Sequence, residues 1–252
     1  MRKSLSFIAA FAASVAVARE TVVIVPAHPD DLISSIGFCL LAREKFEVHV
    51  GDMTHGERGL GDAAFRDGSC RKTRIAEEES VCAAVGAKLH WLDEIDGEAY
   101  ACRETCEKLA GILKDLKPRA VFAHWPVDIH TDHVMAGAAA LRAVLLSGLK
   151  PEVYFFDESY QAKGFSSDVY LDITDIAERK YEIMRLYKCQ YRDGGMERRK
   201  RAADQVAGMH TAMLGGAAEA FRSLFPALQG ERNVFSELPR TRRATPKFQG
   251  AR

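Results

Sequence analysis

In the stretch VVIVPAHPDDLISSIG, four apolar residues (Val22 to Val25) and a proline give way within a few positions to His28, Asp30 and Asp31. Adjacent carboxylates repel one another, and an imidazole beside them at a strand end is uncommon unless something binds both kinds of group. A metal ion does so. About a hundred residues later the chain carries His130 and His133 in HTDH. Catalytic zinc takes three protein ligands of His and carboxylate type and keeps a position open for water. His28, one aspartate of the pair and a histidine of the second segment supply such a His, Asp, His set. Water acidified toward pKa ~7 still needs a proton acceptor, a role open to the other aspartate. Taken singly, these residues have plainer uses: Asp30 or Asp31 can cap a helix, and His130 and His133 can sit solvated in a loop. Their convergence carries the metal reading.

The elements that must position them follow from hydrophobic periodicity. Strands are expected at Thr21 to Pro26, Phe46 to Met53, Lys88 to Leu92, Ala120 to Ala123, Glu152 to Phe156 and Val169 to Asp172. Helices are expected at Asp31 to Glu44, Lys72 to Val85, Glu98 to Leu116, Asp132 to Leu146 and Ile173 to Cys189. Near-continuously apolar strands separated by helices mean an α/β domain, Rossmann-like, with a mostly parallel sheet covered on both faces. Ligands in such a sheet bind beyond the carboxyl ends of the strands. The polar clusters at 28–31, 54–58, 93–97 and 124–133 each follow a strand, so all four fall on one rim.

AHPDD after the first strand, THGE at Thr54 to Glu57, RIAE at Arg74 to Glu77, the Asp96-Gly97 pair, HTDHVMAG at His130 to Gly137 and AEAF at Ala218 to Phe221 resemble the PIG-L/LmbE-like family of zinc-dependent N-deacetylases. The resemblance implies zinc, or another divalent transition metal such as Fe2+, held by His28, Asp31 and His133. It implies Asp30 as general base and His130 as oxyanion stabiliser or proton donor to the leaving amine, with Asp132 orienting a neighbouring imidazole. Arg74 and Asp96 match substrate contacts, and Asp128 stands where another residue can assist the oxyanion. Each has a plainer reading: Arg74 can pair with Glu77 on its helix, and Asp96 before Gly97 is an ordinary turn. Two departures stand out. Leu32 replaces a glutamate, and Tyr187-Lys188-Cys189-Gln190 replaces a His-x-Ser-Gln motif. The implied activity is removal of an acetyl group from an N-acetylglucosamine-type sugar or glycoconjugate. The alternatives are an amidase on another N-acylated small molecule and, motivated by Leu32, a metal-containing carbohydrate-binding protein without turnover.

Composition sets the outer limits. The 252 residues are 47% hydrophobic and 28% charged, with 35 basic against 35 acidic side chains, which suits one soluble domain and gives no electrostatic case for nucleic acid. A small-molecule or glycan substrate is the expected partner. Arg2 and Lys3 precede an apolar run from Leu5 to Ala18 that ends in a small-x-small pattern, Ala16 to Ala18; residues 1–18 read as a signal peptide, and the protein as exported to the periplasm or medium. No other stretch is apolar enough to span a membrane. The deacetylase-like domain is then 19–236, and 237–252 is expected to be a disordered basic tail. The six cysteines lack C-x-x-C spacing, and Cys102 and Cys106 are poorly spaced for a disulfide, so most are expected to be buried as small apolar residues. His49, His90 and His210 are expected to be packed or solvated; His55 and His124 lie on the rim, outside the expected metal set.

Overall fold

The first strand, β1 (Thr21–Val25), lies inside a seven-stranded sheet, with Val22 to Val25 fully excluded from solvent. The computed structural model describes residues 19–158, 162–211, 216–225 and 232–239. The remaining strands are β2 (Glu47–Thr54), β3 (Ala87–Glu94), β4 (Ala120–His124), β5 (Glu152–Phe156), β6 (Val169–Asp172) and β7 (Ala218–Ser223). The helices are α1 (Ile36–Ala42), α2 (Asp62–Arg66), α3 (Ser69–Val85), α4 (Arg103–Leu116), α5 (Thr131–Ser147), α6 (Ala177–Met184), α7 (Lys188–Tyr191) and α8 (Gly195–Gly208). Strand order is β3-β2-β1-β4-β5-β7-β6, parallel through β5 and antiparallel where β7 joins β5 and β6.

Alternation along β1 explains its unbroken apolar run. Val22 and Ile24 face a core shared with Phe38, Phe122 and Phe221, whereas Val23 and Val25 face another with Leu109, Leu113 and Ala140. Gly137 lets α5 lie close against the end of β4, since a Cβ there would come 2.5 Å from the His124 carbonyl oxygen and 3.2 Å from Pro126 Cα.

Several expected elements end elsewhere, for local reasons. The helix expected at Asp31 is a 3-10 turn, Asp31–Ser34, followed by α1, because Asp30 has φ 102 and Ser35 is non-helical. The helix expected from Glu98 begins at Arg103: the Glu98 N–H closes a turn on the Ile95 carbonyl, and Cys102 is the N-cap. The long helix expected over Ile173 to Cys189 breaks into a 3-10 turn, α6 and α7. Asp172 Oδ1 accepts from Thr174 N and Oγ1 at the start, and between α6 and α7 Tyr187 turns fully inward and donates to Glu78 Oε2 at 2.7 Å. Within the stretch expected to be a disordered tail, Glu237 closes a 3-10 turn and Leu238 is 7% exposed against the core. Residues 240–252 lie outside the described residues, as do 1–18 with the expected signal peptide.

AEAF forms most of β7, which sequence periodicity misses because its buried Glu219 is charged. Glu219 accepts the N–H groups of Gly37 (2.8 Å) and Phe38 (2.7 Å) and pairs with buried Lys180 at 2.9 Å; Lys180 also pairs with Asp204 at 2.6 Å. A buried acid facing the uncapped first turn of α1 is favoured by the helix dipole, and it fixes the helix that follows HPDD. All six cysteines are free thiols, with Cys39, Cys70, Cys82 and Cys106 buried and Cys102 and Cys189 partly exposed. Among the described residues no helix is long and apolar enough to cross a membrane.

Candidate active site

β1 and β4 are neighbours, yet β1 leads to β2 on one side and β4 to β5 on the other. The chain thus leaves their carboxyl ends in opposite directions and opens a crevice, the usual ligand position in an open α/β sheet. HPDD leaves β1 there, and HTDH, after β4, starts α5 there. This places the two segments side by side in a cavity of about 580 Å³ lined by His28, Asp30, Asp31, Arg74, His130 and His133, among others.

Asp31 and His28 are the hub. The backbone N–H of His28 donates to Asp31 Oδ2 at 2.8 Å, and His28 Nδ1 lies 3.2 Å from the same oxygen. His133 Nε2 is 3.5 Å from Asp31 Oδ1, and His124 Nε2 is 3.1 Å from Oδ2. The far nitrogens are held by other carboxylates. His28 Nε2 is 3.0 Å from Asp132 and 3.4 Å from Asp96, and His133 Nδ1 is 3.2 Å from Asp128 Oδ2. Asp132 also accepts the Gly97 N–H at 2.6 Å, tying the loop after β3 to the start of α5.

These contacts set the titration behaviour. Burial alone would raise the Asp31 carboxyl, but His133 and His124 outweigh it and hold Asp31 well below the usual carboxylate range. Burial disfavours a charged His133 ring, yet Asp31 and Asp128 push it up to about 10; His28 rises likewise through Asp132 and Asp31. His124 is pushed down to about 4 by burial and by His133, and His130 is lowered by burial and by His28.

The donor set fits a divalent cation. Three overlapping trios have donor atoms within 4.8 Å of one another: His28, His130 and His133; Asp31, His124 and His133; and His28, Asp96 and Asp132. Donors about 2.0–2.1 Å from a tetrahedral ion lie ~3.3 Å apart; His28 Nδ1 is 3.2 Å from Asp31 Oδ2 and His133 Nε2 is 3.5 Å from the other oxygen, Oδ1, so the expected ligands His28, Asp31 and His133 are neighbours but do not together form one of the three trios. Carboxylates flank the imidazoles on both sides, a concentration of negative charge that suits a cation.

Asp30 stands beside this set. Its left-handed backbone turns its carboxylate to Arg74, whose Nη2 donates to Oδ1 at 2.7 Å. Burial raises the Asp30 carboxyl, and Arg74 only partly offsets it. The guanidinium fits because residue 56 is a glycine: a Cβ there would meet Arg74 Nε at 2.5 Å. Arg74 does line the cavity expected to take substrate, but the partner it holds is Asp30, and no ion pair joins it to Glu77. Asp96 also lines the cavity, accepting the Arg58 N–H at 2.9 Å. Asp128, expected to meet substrate or oxyanion, is not among the lining residues; its carboxylate accepts the His130 N–H and lies 3.2 Å from His133 Nδ1.

Comparison with known proteins bears on the same segments. Residues 23–144, which contain both HPDD and HTDH, match the family described as PIG-L, GlcNAc-PI de-N-acetylase. Residues 23–144 thus form a PIG-L domain match. The N,N'-diacetylchitobiose deacetylase of Pyrococcus horikoshii is 26% identical and superposes with a TM-score of 0.70 over 81% of this chain and 84% of that one. The 4-oxalmesaconate hydratase of Pseudomonas putida is 28% identical over 65% of this chain and 71% of its own length. At 23% identity, the structure of a 4-carboxy-2-hydroxymuconate hydratase, also from Pseudomonas putida, shares the fold, with a TM-score of 0.70 over 84% of this chain and 99% of that one. The domain match and these neighbours support an enzyme of the deacetylase or hydrolase type, and the His and Asp cluster offers donors for a metal.

The two sequence departures have structural explanations. Leu32 is fully buried in the apolar core and does not line the cavity, so it gives no ground for a binding protein without turnover. In the late motif, Tyr187 reaches Glu78, the Cys189 N–H donates to Glu77, and Gln190 lines the cavity while donating to the Gly59 carbonyl. His124 belongs to the site although the sequence reading set it aside; the available signal was an imidazole closing the strand beside β1. His49 packs against His90 and Glu47, His210 stacks on Tyr170, and His55 stacks on Trp91.

Proposed function

We propose that the protein is a zinc-dependent N-deacetylase acting on an N-acetylglucosamine-type sugar or glycoconjugate, with His28, Asp31 and His133 as metal ligands. The observation that carries this reading is the division of labour between neighbours: Asp31 faces three imidazoles, whereas Asp30 faces the cavity and Arg74. When bound, the ion supplies Lewis acidity, acidifying water at the site and drawing charge from a carbonyl oxygen.

Asp30 accepts the proton of the attacking water, and its burial favours that by raising the carboxyl. Arg74 holds the carboxylate in place. Asp132 and Asp128 fix the His28 and His133 rings from behind, as second carboxylates commonly do for ligating imidazoles. His130 Nδ1 accepts the Asp132 N–H at 3.3 Å, so its ring proton sits on Nε2, leaving that N–H to donate to the developing oxyanion. As the carbon–nitrogen bond breaks, the proton held by Asp30 passes to the departing amine, giving acetate and the free amino sugar.

The test is acetate release from N-acetylglucosamine conjugates by metal-loaded protein, abolished by a chelator and restored by zinc. No release from any N-acetyl sugar would overturn the reading, and restoration by Fe2+ alone would change only the metal. The 28% identity to a hydratase favours one alternative, water addition to an unsaturated carboxylic acid. Loss of 4-oxalmesaconate without acetate release from sugars would select it. Export is also proposed, from the basic start and the Ala16 to Ala18 pattern; Met1 retained on protein from its native cell would contradict it.

A further inference from the structure

The outer wall of the cavity comes from the turn between α7 and α8, which contributes Arg192, Asp193 and, one helical turn on, Arg199. Charge accounting around the cavity leaves these two arginines over. Arg58 pairs with Glu98, and Arg74 with Asp30. Asp31 and Asp96 are engaged by imidazoles, and Glu158, which also lines the cavity, is buried and acts on the buried Lys200 ammonium. Asp193, the acid nearest in sequence, accepts the Gly195 N–H at 2.9 Å, and its Oδ2 lies 3.4 Å from Arg198 Nη2. Among the described residues neither Arg192 nor Arg199 has a carboxylate partner.

The turn is held to present them. Arg192 has φ 45 and ψ −114, a conformation that a side-chain-bearing residue adopts only under constraint. The constraint is Glu197, which accepts both Arg185 nitrogens (2.8 and 2.7 Å), the Tyr191 hydroxyl at 2.5 Å and Arg201 Nε at 2.8 Å. One buried carboxylate thereby ties α6, α7 and α8 around the turn. Little of the cavity is apolar: Met196 and Tyr191 are its largest such surfaces, which disfavours a long acyl chain.

We propose that Arg192 and Arg199 form an oxyanion subsite, and that the substrate carries a carboxylate or phosphate away from the scissile amide. This rests on the deacetylase reading for the amide but not for the anion. Two guanidiniums on one wall suit a group with several acceptor oxygens.

The experiment is calorimetric binding of three probes at low salt: N-acetylglucosamine, N-acetylglucosamine 1-phosphate and N-acetylmuramic acid. It uses metal-loaded protein and, because an anion can also ligate a metal, chelator-treated protein. Wild type should bind at least one charged probe about tenfold more tightly than the neutral sugar in both forms, with an advantage that shrinks as salt rises. In Arg192→Gln/Arg199→Gln the ratio of charged to neutral affinity should fall to about one, and Arg192→Lys/Arg199→Lys should keep most of it. Which charged probe gains identifies phosphate or carboxylate as the anion. Equal affinities in wild type, an advantage that survives the glutamine pair, or one that disappears with the metal would each overturn the proposal. Acetate is not read, so a protein that deacetylates nothing yet shows the arginine-dependent preference would sink the deacetylase reading and leave the subsite standing.

Discussion

Arg74→Met separates two roles that the same side chain could have, holding substrate or holding the base. Arg74 is 4% exposed, and its Nη2 lies 2.7 Å from Asp30 Oδ1. An adjacent guanidinium lowers a carboxyl pKa by roughly 1–3 units, and here it opposes the rise that burial causes. Removing it should raise the Asp30 carboxyl further. The base works only when deprotonated, so the acid limb of kcat should move to higher pH, not lower. In numbers, the ratio of variant to wild-type kcat should be roughly tenfold or more smaller at pH 5.5 than at pH 8, with KM changed by less than about threefold. Methionine keeps the apolar stem, which limits loss of packing beneath Gly56. The assay is acetate release across pH 5–9 with protein matched for metal content. A tenfold rise in KM with an unmoved acid limb would refute the base-holding role and restore Arg74 as a substrate contact.

Glu219→Gln should cost about 3–5 kcal/mol, because it leaves Lys180 with Asp204 alone and turns an amide donor toward the Gly37 or Phe38 N–H; a loss of several degrees in Tm is expected, and a change under ~2 °C would show the network to be dispensable. Arg185, opposed by burial and aided by Tyr191 and Arg201, holds the Glu197 carboxyl down at about 2. A depressed acid stabilises the fold above its unfolded pKa of ~4.3, and that stability is lost as pH falls toward 2. Since Arg185 is 45% exposed, the contribution is about 1–2 kcal/mol, and the gap between wild type and Glu197→Gln in urea unfolding should close between pH 4.5 and 2; a gap independent of pH would contradict it. His124→Ala should weaken metal affinity about 10–100-fold in competition with a chromogenic chelator, and unchanged affinity would reduce His124 to packing.

What could be read before folding divides along physical lines. β1, β4 and β5 announce themselves through short apolar runs, and the rim follows from strand polarity, so HPDD and HTDH could be brought together without knowing a single contact. The 3-10 turn after Asp30 could not, because a left-handed aspartate leaves no mark on periodicity. Nor could β7, whose middle is a buried glutamate neutralised by Lys180, distant in sequence. Arg74 shows the limit at single residues: its place in the cavity was legible, but its partner was not, since ion pairing depends on Gly56 leaving room for the guanidinium. The contacts of Asp128 with His133 and of His124 with Asp31 were hidden for the same reason, since each depends on which atom a neighbouring side chain faces.

The most direct measurement compares two neighbouring variants on the same samples, reading zinc per protein and acetate released from an N-acetylglucosamine conjugate. Asp30→Asn should keep its zinc and lose about 100-fold to 10,000-fold in kcat, because an amide can still accept from Arg74 but cannot take a proton from water. Asp31→Asn should lose zinc, because its carboxylate faces His28, His124 and His133. Zinc lost from Asp30→Asn and kept by Asp31→Asn would reverse the two roles, and full turnover in Asp30→Asn would contradict the proposed chemistry.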